Sequence, residues 1–162
     1  MKSYSNIITE LKHNEVFVFA SNAKGFHGAG SAGYATFGEF GNVWRDHDYG
    51  DKAYGWKGKW TEKGVVGLQE GTEGTSYGLV TITEGEGEEF DDLHVYDEIV
   101  KLYELASHNK DLAFYVAQAA KLGKHGKSPV AMAEIYAAAG TPPPNIIFQE
   151  RFAALLEVAL AQ

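Results

Sequence analysis

The chain has no cysteine, so a disulfide framework, a thiolate nucleophile and a Cys-based zinc site are all excluded. No apolar run approaches the roughly 18 residues of a membrane span, and the opening MKSYSNIITELKHNE has no apolar core of a secretory signal. A soluble protein of the cytoplasm, without a membrane partner, is therefore expected. Positive charge is also scarce. Fourteen Lys and Arg stand against 22 Asp and Glu, a net charge of -8, and affinity for phosphate backbones needs clustered cations, so no nucleic-acid partner is expected. The excess is local, because Glu84, Glu86, Glu88, Glu89, Asp91, Asp92, Asp97 and Glu98 follow one another with no Lys or Arg between them. This run reads as a solvated loop leading into a helix, without the alternating ligand spacing of a calcium site.

Glycine is the residue in excess. Of 19 glycines, 16 fall between Gly25 and Gly87, interleaved with Phe26, Tyr34, Phe37, Trp44, Trp56 and Tyr77. Aromatics at that density argue for ordered backbone in tight turns and against a low-complexity linker. The length of 162 residues suits one domain with one core.

Nearly continuous apolar stretches predict strands at Glu15 to Ala20, Gly78 to Ile82, Asp111 to Ala117 and Asn145 to Phe148, with a weaker one around Val65 and Val66. Helical spacing appears from Val95 to Ala106, with Asp92 or His94 near the start. A second helix opens at Ser128-Pro129, an N-cap followed by proline, and stops at Gly140 before three prolines. A third runs through Phe152, Leu155, Leu156 and Leu160. Strands alternating with helices predict an α/β fold, three-layered α/β/α, on a mixed and largely parallel sheet over residues 1–162.

Two strand-to-helix junctions are marked by glycine. The first reads Ser21-Asn22-Ala23-Lys24-Gly25-Phe26-His27-Gly28-Ala29-Gly30-Ser31-Ala32-Gly33. Residues without bulk at a helix start let backbone N–H groups converge on an anion, phosphate above all, although glycines also serve close helix packing. Gly28, Gly30 and Gly33 match G-x-G-x-x-G in form only, because seven residues separate Ala20 from Gly28 and no second strand with a terminal acid follows. The second junction carries Lys121, Gly123, Lys124, His125, Gly126 and Lys127 ahead of Ser128-Pro129. Two such loops facing each other would hold both ends of a diphosphate, although the lysines also suit a solubilising loop. Gly74-Thr75-Ser76-Tyr77-Gly78 has the form of a nucleophile elbow, but Ser76 leads into a strand and not a helix.

These residues, in this order, resemble the macro domains, and more closely a compact macro-domain-like family of phage and bacterial genomes. The matching features are FVFASN, then GFHGAG with a small-residue helix, GLQEGTEGTSYGLVTI, and the closing NIIFQERF. The resemblance covers most of the chain apart from its first dozen residues and an insertion at 43–63, and it implies a cleft for ADP-ribose or a related NAD-derived nucleotide. Under it, Asn22 contacts the distal ribose, with Ser21 also a ligand-binding residue, the amides of Gly28, Ala29 and Gly30 form the first phosphate loop, and His27 is either an imidazole beside the phosphate or ribose or merely a loop residue. Gln69 belongs to a second wall, Gly123, Lys124, His125 and Gly126 form the second phosphate loop, and Lys121 is a further ligand-binding residue. Phe148 or Phe152 would stack on adenine, with a core role equally open to Phe148. The second loop departs from the family's I-G-x-G-x-A-G by losing a glycine and gaining charge, and no early acid stands ready for the adenine amine.

Function then divides between a binder that sequesters a nucleotide, in a phage setting a defence signal, and an ADP-ribosyl hydrolase or phosphoesterase. Catalysis needs a general base or an activated water, and neither loop holds Asp or Glu, so Asn22, His27 and His125 are the only catalytic candidates and binding is favoured. No cofactor is expected. No metal is expected either, since His47 and Asp48 lack a third ligand at useful spacing. The insertion, with Trp44, Tyr49, Tyr54, Trp56 and Trp60, reads as a lid, a contact between copies of the chain, or a satellite apolar cluster.

Overall fold

The computed structural model describes residues 1–22, 30–38, 56–57, 67–82, 91–117 and 127–162. They form six strands, β1 (Ser3–Tyr4), β2 (Glu15–Asn22), β3 (Gly67–Gly71), β4 (Gly74–Ile82), β5 (Ala113–Val116) and β6 (Ile146–Gln149). Four helices accompany them, α1 (Gly30–Phe37), α2 (Asp92–His108), α3 (Pro129–Ala138) and α4 (Glu150–Leu160). One sheet takes the order β1-β6-β5-β2-β4-β3, and every neighbouring pair is parallel except the β3–β4 hairpin. The α/β class and the mixed, largely parallel sheet are thus as the sequence predicts.

The near-continuous apolar run of β2 has a direct cause in the layering. Val16 and Val18 join the larger core with residues of α2, α3 and α4, while Phe17 and Phe19 join a second cluster with Ala32, Tyr34 and Ala35 of α1 and with Trp56. Alternate side chains of one strand therefore meet apolar neighbours on both sides, which removes the polar positions an open face would require.

Local chemistry sets the helix ends. The Asp91 carboxylate accepts from the His94 amide at 2.9 Å and starts α2. Ser128 Oγ accepts from the Ala131 amide at 3.1 Å beside Pro129, the predicted N-cap and first-turn proline of α3. Gly140, with φ of +98°, takes the left-handed conformation that lets the chain leave that helix. Gln149 caps α4 by accepting from the amides of Arg151 at 3.0 Å and Phe152 at 3.3 Å. Asn145 fastens the amino end of β6, its Nδ2 lying 2.9 Å from the Ala106 carbonyl, 3.1 Å from that of Asn109 and 3.0 Å from that of Leu112.

Two strand assignments differ from expectation. β1 is an additional strand, two residues paired with Phe148 and Gln149, too short to leave a periodicity. β3 lies at Gly67–Gly71, following the Val65 and Val66 that suggested it, and pairs antiparallel with β4 through Gly71 and Gly74.

Candidate functional site

Because β1, β6, β5, β2 and β4 are mutually parallel, their carboxyl ends share one edge of the sheet, where the following helices begin. A cavity of about 560 Å³ opens there. Tyr4 and Ser5 leave β1, Ala117 leaves β5 and Gln149 ends β6 at its wall, while Ser31, Pro129, Arg151 and Phe152 bring the first turns of α1, α3 and α4. Three helix starts facing one space create a field that favours negative charge, and the guanidinium of Arg151 adds a cation at the same rim. Phe17, Tyr34, Ile7, Ile8 and Leu155 supply apolar and aromatic surface. A volume in the roughly 300–1,000 Å³ range, with a few polar groups on apolar walls, suits a small organic ligand.

The segment after β1 forms one side of this cavity, and several contacts hold it. The Tyr4 hydroxyl donates to the Val116 carbonyl at 2.8 Å, with the ring edge-on to Tyr115 at 5.7 Å. The Tyr34 hydroxyl donates to the Ile8 carbonyl at 2.5 Å, and Lys57 Nζ reaches the Thr9 carbonyl at 3.4 Å. Ile8 and Leu11 pack on the cluster around Trp56. That indole is fully buried, 4.7 Å from the Phe17 ring and 5.7 Å from Tyr34 between centroids, so it braces two aromatic walls of the cavity from behind. Burial pushes the Tyr4 phenol up to about 12, and burial with the charge of Glu73 raises that of Tyr34, so both stay neutral donors near pH 7.

The predicted site residues fall into three groups. Phe152 borders the cavity but is itself only 3% exposed and packs on Tyr136 and Phe148 in the larger core, and Phe148 is fully buried there, the role equally open to it. Ser21 and Gln69 are both buried and come together around Gly78, where a Cβ would lie 3.2 Å from Gln69 Nε2 and 3.3 Å from Ser21 Cβ. They form a wall over β2, β3 and β4 and are not among the described residues lining the cavity. Asn22 ends β2 and Gly30 begins α1. His27, Gly28, Ala29, Lys121, Gly123, Lys124, His125 and Gly126 lie outside the described residues.

The flanks of both glycine loops are described, and they meet at one place. Ser31 directly follows Gly30, Ala117 precedes the second loop and Pro129 follows it closely, and all three line the same cavity. Lys127, counted among the lysines of the second loop, instead pairs with Asp92 at 2.9 Å while its own side chain is only 10% exposed, which ties the start of α3 to that of α2. Of residues 43–63, expected to be an insertion, Trp56 and Lys57 are described, and Trp56 belongs to the apolar cluster with Phe17, Phe19 and Tyr34. Ser76, in the elbow-like motif, lies within β4 with a buried hydroxyl, as strand placement requires. Among the described residues no group of three or more potential ligands could hold a metal, and no helix is long and apolar enough to cross a membrane.

Sequence reasoning missed Tyr4, Ile7, Ile8, Tyr34, Gln149 and Arg151 as cavity residues. The available signal was the strand-to-helix junction NIIFQERF, whose Gln149 and Arg151 flank the Phe152 side of the site. No family model matches the chain, and no curated protein matches it in sequence.

Proposed function

We propose that this chain is a macro-domain-like binder of an ADP-ribose-containing or other NAD-derived nucleotide, and that it sequesters the nucleotide in the cavity at the carboxyl edge of its sheet. The observation that carries the reading is that the flanks of both glycine loops, the first turns of three helices and Phe152 border one space. In this arrangement the helix starts face the diphosphate, Arg151 neutralises charge at the rim, and Phe152, largely buried, meets the base with the edge it leaves at the cavity.

The test is incubation with ADP-ribose, NAD and cyclic derivatives, followed by denaturation and recovery of the nucleotide. Intact recovery with a raised melting temperature is expected, turnover would make the chain a hydrolase, and no shift with any member would remove the nucleotide reading. Phe152→Leu keeps an apolar side chain in the core and deletes the aromatic edge at the cavity. An aromatic contact of this kind is worth about 0.5–1.5 kcal/mol, so affinity should fall roughly two- to twelvefold while the fold persists. Unchanged affinity would place the base elsewhere.

A further inference from the structure

The polar lining near Phe152 has a definite hydrogen-bonding sense, fixed by the cap of α4. Gln149 borders the cavity, and its Oε1 already accepts from the backbone amides of both Arg151 and Phe152. These two bonds settle which end of the carboxamide is oxygen, since an NH2 group there would face two N–H donors. What Gln149 retains for a guest is its Nε2, a donor that makes no hydrogen bond within the described residues. Arg151, two residues on, is a donor only. None of the described lining residues is Asp or Glu, the side chains that take a hydrogen bond from an amine without offering one in return.

We propose that Gln149 is a specificity-determining residue that makes the cavity prefer a 6-oxopurine to a 6-aminopurine at its Phe152 end. This rests on the nucleotide reading given above. A carbonyl at the six position accepts from Gln149 Nε2, whereas an amino group there meets another donor, and desolvating a polar group without a partner is what separates such analogues. The preference arises in the cap itself, because the carboxamide oxygen is engaged in starting α4 and the amino end is what remains to a guest.

The experiment is calorimetric titration of the wild-type chain with ADP-ribose and with its hypoxanthine counterpart, in which the six-position amino group becomes a carbonyl and N1 gains a proton. The hypoxanthine form should bind at least about fivefold more tightly. Gln149→Glu retains an oxygen to cap α4, where the helix field favours a carboxylate, and converts the guest-facing donor into an acceptor. In that variant the order of the two ligands should reverse. Equal binding of both, or an adenine preference in the wild-type chain, overturns the proposal while leaving the nucleotide site intact. Binding of neither overturns the nucleotide reading and this proposal with it. The wild-type comparison needs no substitution, so the preference is decided even if the variant does not fold.

Discussion

Gly74 is the position at which the packing behind the cavity is most open to a quantitative test. A Cβ placed on it would lie 2.8 Å from Trp56 Cδ1 and 3.1 Å from Leu11 Cδ1, where carbon atoms ordinarily rest about 3.5–4.0 Å apart. The indole cannot withdraw, because Phe17 and Tyr34 hold it and it is fully buried. Overpacking of this kind costs about 1–3 kcal/mol. The glycine φ of +153° adds backbone strain for any L side chain, of order 1–3 kcal/mol. Gly74→Ala should therefore destabilise the fold by about 3 kcal/mol, which for a domain of this size lowers Tm by roughly 6–12 °C. The two contributions separate in a double-mutant cycle with Trp56→Ala, followed by circular dichroism in urea. Removing the indole relieves the steric part and leaves the backbone part, so the glycine substitution should cost at least about 1 kcal/mol less in that background. Equal cost in both backgrounds, or an unchanged Tm for Gly74→Ala alone, would refute the account of Trp56 as a brace wedged between the hairpin and the aromatic walls.

Asn145→Asp replaces the amide nitrogen that three backbone carbonyls approach with a second carboxylate oxygen, so a loss of about 2–4 kcal/mol is expected in urea melts at pH 7, and a loss under about 0.5 kcal/mol would contradict the bonding described. Acidification that protonates the new carboxyl should return part of that loss. Alkaline conditions should destabilise the chain through its buried phenols. Burial raises Tyr4 and Tyr77 from the ordinary 10.0 to about 12, with the charge of Glu98 assisting at Tyr77, and also raises Tyr103 and Tyr136. The unfolded chain loses these protons first, so their stabilisation is complete below pH 10 and declines as pH climbs toward 12. Urea midpoints falling over that interval, with native phenolate absorbance delayed beyond pH 10, are the expected signs, and a native titration complete near pH 10 would remove the burial argument.

What the sequence disclosed about this fold, and what it did not, follows the range of the forces involved. The span of β2 was legible because Val16, Phe17, Val18 and Phe19 must all be apolar when both faces of a strand are covered. Ser128-Pro129 announced α3 through a cap whose chemistry is complete within four residues. β3 was blurred because Gly67–Gly71 carries glycines, Gln69 and Glu70, with little strand propensity, and it owes its conformation to pairing with β4 across a two-residue turn. Of the cavity's lining, the sequence offered Phe152 only as one of two aromatics near the last strand, through a family resemblance. Tyr4, Ile7 and Ile8 were not legible, since their position depends on a two-residue pairing with Phe148 and Gln149, residues from the far end of the chain.

That short pairing also explains how the cavity acquires a wall on its β1 side. β1 runs parallel to β6, so the chain leaving Tyr4 must emerge at the same edge as the chain leaving Gln149. An antiparallel β1 would have sent Ser5 to Ile8 to the opposite edge and left Arg151 and Phe152 facing open solvent. The parallel direction instead brings the segment over Phe17 and toward α1, where the Tyr34 hydroxyl takes hold of the Ile8 carbonyl. Tyr34 thus has one foot in each structure, its hydroxyl on the entering segment and its ring against Trp56. A change of shape in the cavity that displaces Tyr34 must therefore reach both the segment after β1 and the brace of Trp56, which makes the buried indole, through its contact with Tyr34, a neighbour of the ligand space it does not itself line.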